Sequence, residues 1–366
     1  VTATDAARVL ARFAVEGTLA SLTPDPRGLI NRSWLAALDA PGGPRRYLLQ
    51  RINRHVFQRP DQVVENAVRV TRHLRARLAR EGARDPERRV LEFVPTRDGA
   101  FSHVDGEGET WRLVRWIEGT RSSERATSAA SAREAARAFG LFLRQLGDLP
   151  PPRLFETIPA FHDTPARLAA LERVAGRDPA GRLASCRAEL AALLERRALA
   201  SALALRLAKG ELAERPVHND AKIANVLFDQ ATGEALAVVD LDTVMPGLAL
   251  HDFGDLARSA VSDSAEDEVD LDKVAVRVPV FQALASGFAE GAGDCLSPTE
   301  LSLLATAAEV VTYEQAARFL TDHLAGDPYY RIERPGHNLD RARAQLRLLD
   351  RLELARPALE QSTRAS

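Results

Sequence analysis

The stretch Val217-His-Asn-Asp-Ala-Lys-Ile-Ala-Asn-Val-Leu-Phe228, followed by Val238-Val-Asp-Leu-Asp242, decides how this chain is read. Its first part has the form H-x-D-x-x-x-x-N. Asn225-Val-Leu-Phe-Asp229 reads as a strand, Gln230 to Gly233 as a turn, and Glu234-Ala-Leu-Ala-Val-Val-Asp240 as the returning strand. A tight hairpin of this kind is expected to bring Asp240 back beside Asn225. Asp220, Asn225 and Asp240 then converge from within 21 residues, 220 through 240.

These residue types suit phosphoryl transfer from ATP. That reaction asks little covalent chemistry of a protein. It needs a carboxylate near the attacking hydroxyl and oxygen ligands for Mg²⁺. Asp220 is the candidate base, and Asn225 and Asp240 are the candidate metal ligands, both being hard oxygen donors. Asp242 is either a further metal ligand or a hydrogen-bonding brace. Lys222 either neutralises the transferred phosphoryl group or is a solvated loop residue. His218 is expected to brace the loop. Asp252-Phe-Gly254 spells the kinase metal triplet, but it lies 32 residues beyond Asp220. It reads instead as a helix start, capped by Asp252 or Asp255.

Working outward, the first third predicts a small α+β lobe. Leu29 to Leu35 and Arg46 to Ile52 flank Ala40-Pro-Gly-Gly-Pro44, a hairpin signal. Val63, Val64, Ala67, Val70, Leu74 and Leu78 keep helical spacing. Arg89 to Val94, Ala100 to Val104 and Thr110 to Ile117 read as three more strands. After Gly119 the pattern turns helical, with single helices expected over 132–146, 186–207, 298–324 and 338–354. The expected division is 1–118 and 119–366.

Composition narrows the classes. The chain has 366 residues, 45% apolar and 27% charged, enough for a sizeable core. A net charge of −2 does not suggest a dedicated polyanion binder. Cys186 and Cys295 are too few for a disulfide framework. Lysine occurs only at 209, 222 and 273, so 46 of the 49 basic residues are arginine. No Walker loop, G-x-S-x-G, H-E-x-x-H or G-x-G-x-x-G occurs. No signal peptide or membrane span is read, so a cytoplasmic monomer without nucleic-acid or membrane partners is expected.

The catalytic stretch resembles the aminoglycoside phosphotransferase and choline kinase branch of the protein-kinase-like fold. Within that branch the chain is similar to bacterial N-acetylhexosamine 1-kinases. The likeness includes Gly28-Leu-Ile-Asn31, Tyr47 to Asn53, Glu156 to Pro165, His218 to Lys222, Asp240 to Gly247, Asp252 to Asp255, Arg318-Phe-Leu320 and Pro335 to Asn338. It implies a bilobal α+β enzyme moving the γ-phosphoryl of ATP onto the anomeric hydroxyl of a hexosamine, with Mg²⁺. It implies Asp220 as base, Asn225 and Asp240 on the metal, and Arg318 and Tyr329 on the sugar. The phosphate-covering loop would be Pro26 to Arg32, with Gly28. Adenine would lie against Arg115-Trp-Ile-Glu118, meeting Arg115, Trp116 and Ile117.

Two departures from the pattern matter. The strand that carries a phosphate-binding lysine in protein kinases has none here. Gln50, Arg51 or Arg46 would have to serve. Leu29 replaces a polar residue near the sugar, leaving Asn31 for a polar contact. The acceptor therefore stays open between an N-acetylhexosamine and another hydroxyl compound, such as an aminoglycoside or a choline-like amine. A nucleotide-binding module without catalysis is the third reading, and retention of Asp220, Asn225 and Asp240 argues against it.

Overall fold

A computed structural model describes residues 3–26 and 30–364. The chain forms two compact units. The first comprises Val1–Arg121, Asp148–Pro159 and Leu227–Pro246, and the second Ser122–Gly147, Ala160–Val226 and Gly247–Ser366. The division is thus discontinuous, where the sequence reading put one boundary at 118/119.

In the first unit, helix α1 (Ala3–Leu10) precedes β1 (Thr18–Asp25), β2 (Arg32–Ala40) and β3 (Gly43–Arg51). Next come α2 (Pro60–Arg80), α3 (Pro86–Arg89), β4 (Phe93–Val94), β5 (His103–Val104), β6 (Thr110–Arg115) and β7 (Thr120–Arg121). The main sheet runs β1-β2-β3-β6-β4, with β5 also on β6. The β2–β3 hairpin closes with Ala40 opposite Gly43. Gly42 and Gly43 carry the positive φ (99° and 112°) that so tight a connection demands. One face of the sheet packs Trp34, Ala36, Tyr47, Leu49, Trp111 and Leu113 with Phe13 and Leu10. Sequence reading missed β1. Its side chains are almost all exposed, so it lacks the alternation that marks a half-buried strand. The strand expected over Arg89 to Val94 shrinks to Phe93–Val94, because Pro86 opens a helical turn in front of it.

Two later segments join this unit through buried polar contacts. On α2, Asn66 Nδ2 donates to the carbonyls of Phe155 (2.8 Å) and Val244 (3.1 Å), and its Oδ1 accepts from the Phe155 N–H (3.0 Å). The hairpin strands β9 (Val226–Asp229) and β10 (Ala235–Val238) pair in the order β10-β9-β7. There Arg88 reaches Asp229 (2.8 Å) and Arg89 reaches Glu234 (3.0 Å).

The second unit is mainly helical: α4 (Ala129–Leu146), α5 (Thr164–Arg177), α6 (Arg187–Glu195), α7 (Arg197–Ala208), strand β8 (Arg215–Val217), α8 (Ala249–Ala260), α9 (Val278–Ala292), α10 (Pro298–Ser302), α11 (Leu304–Ala325) and α12 (His337–Arg364). Tyr313, Phe319 and Leu320 of α11 sit in its core with Leu171 of α5 and Leu346 and Leu349 of α12. The expected single helices over 186–207 and 298–324 are each broken, at Arg196 and Leu303, which leave helical geometry. Buried apolar residues flank both breaks, Leu193 and Ala200 at the first and Leu303 and Leu304 at the second, so periodicity alone does not reveal them. Among the described residues, no helix is long and apolar enough to cross a membrane.

Candidate active site

The stretch 218–225 lies between β8 and β9. His218 and Asn219 are buried, and their backbone N–H groups donate to Asp252 Oδ2 (2.9 Å) and Oδ1 (2.7 Å). Asp252 is wholly buried inside α8, and burial pushes its carboxyl upward. It therefore holds the loop rather than capping α8, whose N-cap is Leu248 without a side-chain bond. The neighbouring Phe253 packs edge-on against Phe281 at 5.5 Å. A Cβ on Gly254 would lie 2.5 Å from the Ala307 carbonyl, so Phe-Gly serves the packing of α8 on α11. His218 presents its ring to Phe139 and Phe142, and its Nδ1 faces the Asp220 N–H at 3.3 Å.

Asn219 adopts φ 62°, which turns the chain sharply before Asp220. A Cβ on Gly247 would come within 2.6 Å of Asn219 Oδ1, so only glycine leaves room for that turn. Asp220 is about a quarter exposed, and Lys222 Nζ lies 2.5 Å from its Oδ1. Burial pushes the Asp220 carboxyl up, but the Lys222 ammonium outweighs this and holds it down at about 2. Burial likewise opposes the Lys222 charge, and Asp220 overrides it and raises that group. Both are ionised at neutral pH.

Asn225 ends a short turn, Ile223–Asn225, and its Nδ2 donates to the Asp220 carbonyl (2.8 Å) and to Asp220 Oδ2 (3.2 Å). A backbone carbonyl can only accept, so this bond fixes which way the amide faces. Oδ1 is left as the accepting atom, and oxygen is the donor type a magnesium ion takes. Among the described residues no three His, Cys, Asp or Glu side chains gather into a metal site of their own. A phosphoryl-transfer magnesium ion needs only one or two protein oxygens, with phosphates and water supplying the rest. The donor types fit that ion.

In the first unit, Asp240 is exposed and adopts φ 60°, ψ 59° at the start of a short turn. Asp242 is buried. It pairs with Arg112, and its Oδ2 accepts from Asn31 Nδ2 at 2.7 Å. Both carboxylate oxygens thus have partners within this unit. Arg112 also donates to Gln50 Oε1 (3.0 Å), while Gln50 Nε2 faces Ser33 (3.3 Å). Asn31 Oδ1 accepts from the Asn53 N–H at 3.0 Å. Gln50, Asn31 and Asp242 therefore form one network around Arg112, a residue the sequence reading missed. Its only sequence signal is an arginine inside the apolar run of β6.

The remaining nucleotide candidates are also placed in this unit. Arg46 pairs with Glu118 and lies 5.3 Å over the Trp116 ring. Arg51 is 4.0 Å from Glu109, and Arg115 is 3.3 Å from Glu92. Ile117 is buried, and its carbonyl accepts from Thr120 Oγ1 at 2.7 Å. Gly28 and Leu29 lie outside the described residues.

The sequence profile of the phosphotransferase enzyme family (APH) matches residues 21–285. The chain belongs to that family. Among solved structures, it is similar to an aminoglycoside phosphotransferase from Alicyclobacillus acidocaldarius, with 15% identity, 98% of this chain and 96% of that one covered, and a TM-score of 0.57. It is also similar to a choline kinase from Cryptosporidium parvum, at 12% identity, 93% and 91% coverage and a TM-score of 0.56. A third likeness is to a GDP complex of an aminoglycoside 2′-phosphotransferase, at 13% identity, 100% and 98% coverage and a TM-score of 0.51. These likenesses establish a protein-kinase-like α+β fold.

In this phosphotransferase three of the residues expected on an acceptor, Asp220, Arg318 and Tyr329, lie in the second unit, whereas Asn31 lies in the first. Arg318, on α11, stacks over Phe161 (5.0 Å) and Tyr330 (5.8 Å) and donates to Gln315 at 3.3 Å. Among the described residues, no carboxylate lies within ion-pair distance of it. Arg167, on α5, donates to the carbonyls of Ala160 (3.2 Å) and Phe161 (3.0 Å), and among the described residues it too has no carboxylate within ion-pair distance. Burial and the nearby Arg318 charge push Arg167 downward. Tyr329 is half exposed, with its N–H on Asp322 and its ring 4.8 Å from Tyr330. His162, which links this cluster to Asn219, has no sequence signal of its own beyond lying within the stretch Glu156 to Pro165.

Proposed function

We propose that this phosphotransferase transfers the γ-phosphoryl of ATP to the anomeric hydroxyl of an N-acetylhexosamine, giving the sugar 1-phosphate. The observation that carries the transfer is the Asp220–Lys222–Asn225 constellation, held from behind by Asp252. Asp220, at about 2, is a poor proton acceptor before bonds begin to change. Its first task is to orient the hydroxyl. The hydroxyl oxygen forms its bond to the γ-phosphorus as the bond to the β-phosphate oxygen breaks. The proton passes to Asp220 late, as the hydroxyl loses its basicity. ADP leaves and Asp220 returns the proton to solvent. Lys222 is suited to neutralise charge on the moving group.

Asn225 Oδ1 and Asp240 are the ligands we assign to Mg²⁺, which supplies charge neutralisation at the phosphates. Asp242, with both oxygens taken by Arg112 and Asn31, is better suited to brace than to ligate. Gln50 and Arg51 remain the candidates for the nucleotide phosphates, with Arg115, Trp116 and Ile117 beside the base.

Arg167 and Arg318 favour a neutral acceptor over an aminoglycoside or choline-like amine. Two guanidinium groups with no carboxylate partner among the described residues repel a cationic substrate, whereas their N–H groups suit sugar oxygens. ADP release measured over a panel of N-acetylhexosamines, other hexoses, aminoglycosides and choline tests this reading. Turnover with the hexosamines and none with the amines is expected. Turnover with choline or an aminoglycoside alone would overturn the sugar assignment and leave the kinase assignment standing.

A further inference from the structure

His162 connects the acceptor cluster to the catalytic loop. Its Nε2 lies 2.9 Å from the Asn219 carbonyl, and its Nδ1 lies 2.9 Å from Glu314 Oε1. Glu314 Oε2 accepts from Thr164 Oγ1 at 2.6 Å. His162 and Glu314 side chains are 6% and 1% exposed, so water does not compete for these bonds.

A backbone carbonyl and a carboxylate both only accept. A neutral imidazole has one N–H and one lone pair. Whichever tautomer formed, a lone pair would face an acceptor oxygen at 2.9 Å. The geometry therefore calls for hydrogen on both nitrogens.

The surroundings agree. Burial opposes charge on His162, but Glu314 outweighs it and raises the imidazole. Burial also pushes Glu314 up, and the His162 charge holds it down at about 2. Asp255 on α8 adds in the same direction. His251, also on α8, stacks at 4.6 Å, and burial and the His162 charge hold it down to about 3, hence neutral. On α11, Arg318 helps hold Glu314 ionised.

Residue Asn219 is thus gripped on both sides. Its N–H is on Asp252, and its carbonyl, which belongs to the peptide leading into Asp220, is on His162. Asn219 already occupies a left-handed conformation, so rotation of the next peptide would swing Asp220. Glu314 lies one helical turn before Arg318, and Phe161, which Arg318 covers, precedes His162.

We propose that His162, clamped as an imidazolium by Glu314, is a positioning residue that aims Asp220 through the Asn219 carbonyl. This rests on the reading of Asp220 as the group that orients the acceptor hydroxyl.

The test is ADP release with an accepted acceptor, for wild type, His162→Phe and Glu314→Gln, with KM for ATP measured alongside. His162→Phe keeps a ring of similar shape and removes both donors. We expect its kcat to fall ~100-fold, the scale of an ångström-level misplacement, with KM for ATP within threefold. Glu314→Gln can still hold a neutral His162, so a loss of ~10-fold is expected. Its alkaline limb of kcat should move to lower pH, because the carboxylate that retains the His162 proton is gone.

If His162→Phe fails to fold, ¹⁵N signals of His162 in the wild-type protein carry the test. Two protonated ring nitrogens at pH 7 are expected. A neutral tautomer there, or kcat within twofold of wild type in both variants, would overturn the proposal. Asp220→Ala separates the outcomes. Full activity in that variant sinks the underlying reading, whereas an inactive Asp220→Ala with an unimpaired His162→Phe sinks only this inference.

Discussion

Replacing Asp252 probes how the 218–220 loop, the proposed catalytic segment, is held. Its carboxylate has no exposure and accepts two backbone N–H groups, at 2.9 and 2.7 Å. Asp252→Ala leaves both without an acceptor in a region that water does not reach. A buried polar group stripped of its partner costs ~1–3 kcal/mol. Two such groups give a loss of ~2–6 kcal/mol in unfolding free energy, before counting the small cavity. Asp252→Asn keeps one acceptor oxygen and turns an NH₂ toward the second N–H, so about half that loss is expected. The catalytic cost should follow the loop. Asn219 and Asp220 lose their fixed backbone, and kcat for ADP release should drop by ~100-fold in Asp252→Ala. Urea unfolding gives the first quantity and a coupled ADP assay the second. An Asp252→Ala protein within 0.5 kcal/mol of wild type, turning over within twofold, would refute the reasoning, both thresholds being set at about assay precision.

Other expectations follow from the same geometry. Lys222→Met removes the charge that holds Asp220 at about 2, so the acidic limb of kcat/KM should rise to ~4 or above; an unmoved limb would show that Lys222 does not set it. Arg112→Met leaves the Asp242 carboxylate buried with Asn31 alone and should cost ~3–5 kcal/mol, while Arg112→Met with Asp242→Leu should recover much of that. Urea midpoints check both, and a loss under ~1 kcal/mol would contradict the first. Glu309 is buried with Oε1 unpartnered, and burial pushes it up to about 7 against Arg356. Between its unfolded value of 4.5 and about 7, the folded state binds the extra proton, so this group withdraws stability as pH rises. Glu309→Gln should lack that contribution, and a wild-type-minus-variant stability difference that stays flat across the window would contradict the assignment.

The parts of the molecule written locally were legible in the sequence. The H-x-D-x-x-x-x-N stretch and the hairpin after it are set by spacing within one short segment, and the α2 period is carried by its own apolar residues. What depends on distant partners was not legible. His162 and Glu314 are 152 positions apart, and Arg112 and Asp242 are 130 apart. Nothing in either segment announces the other. Asp252 misled for a related reason. As a helix residue with acidic and small neighbours it resembles a cap, yet its partners are the loop amides of His218 and Asn219. The exposed strand β1 shows the limit of periodicity, since a strand that buries little leaves little pattern.

The central claim is tested most directly by incubating the protein with ATP, Mg²⁺ and an N-acetylhexosamine and locating any new phosphate by ³¹P–¹H coupling. Phosphate on the anomeric oxygen, formed by wild type and not by Asp220→Ala, is the predicted result. Phosphate on a different hydroxyl, no transfer at all, or undiminished transfer by Asp220→Ala would contradict it.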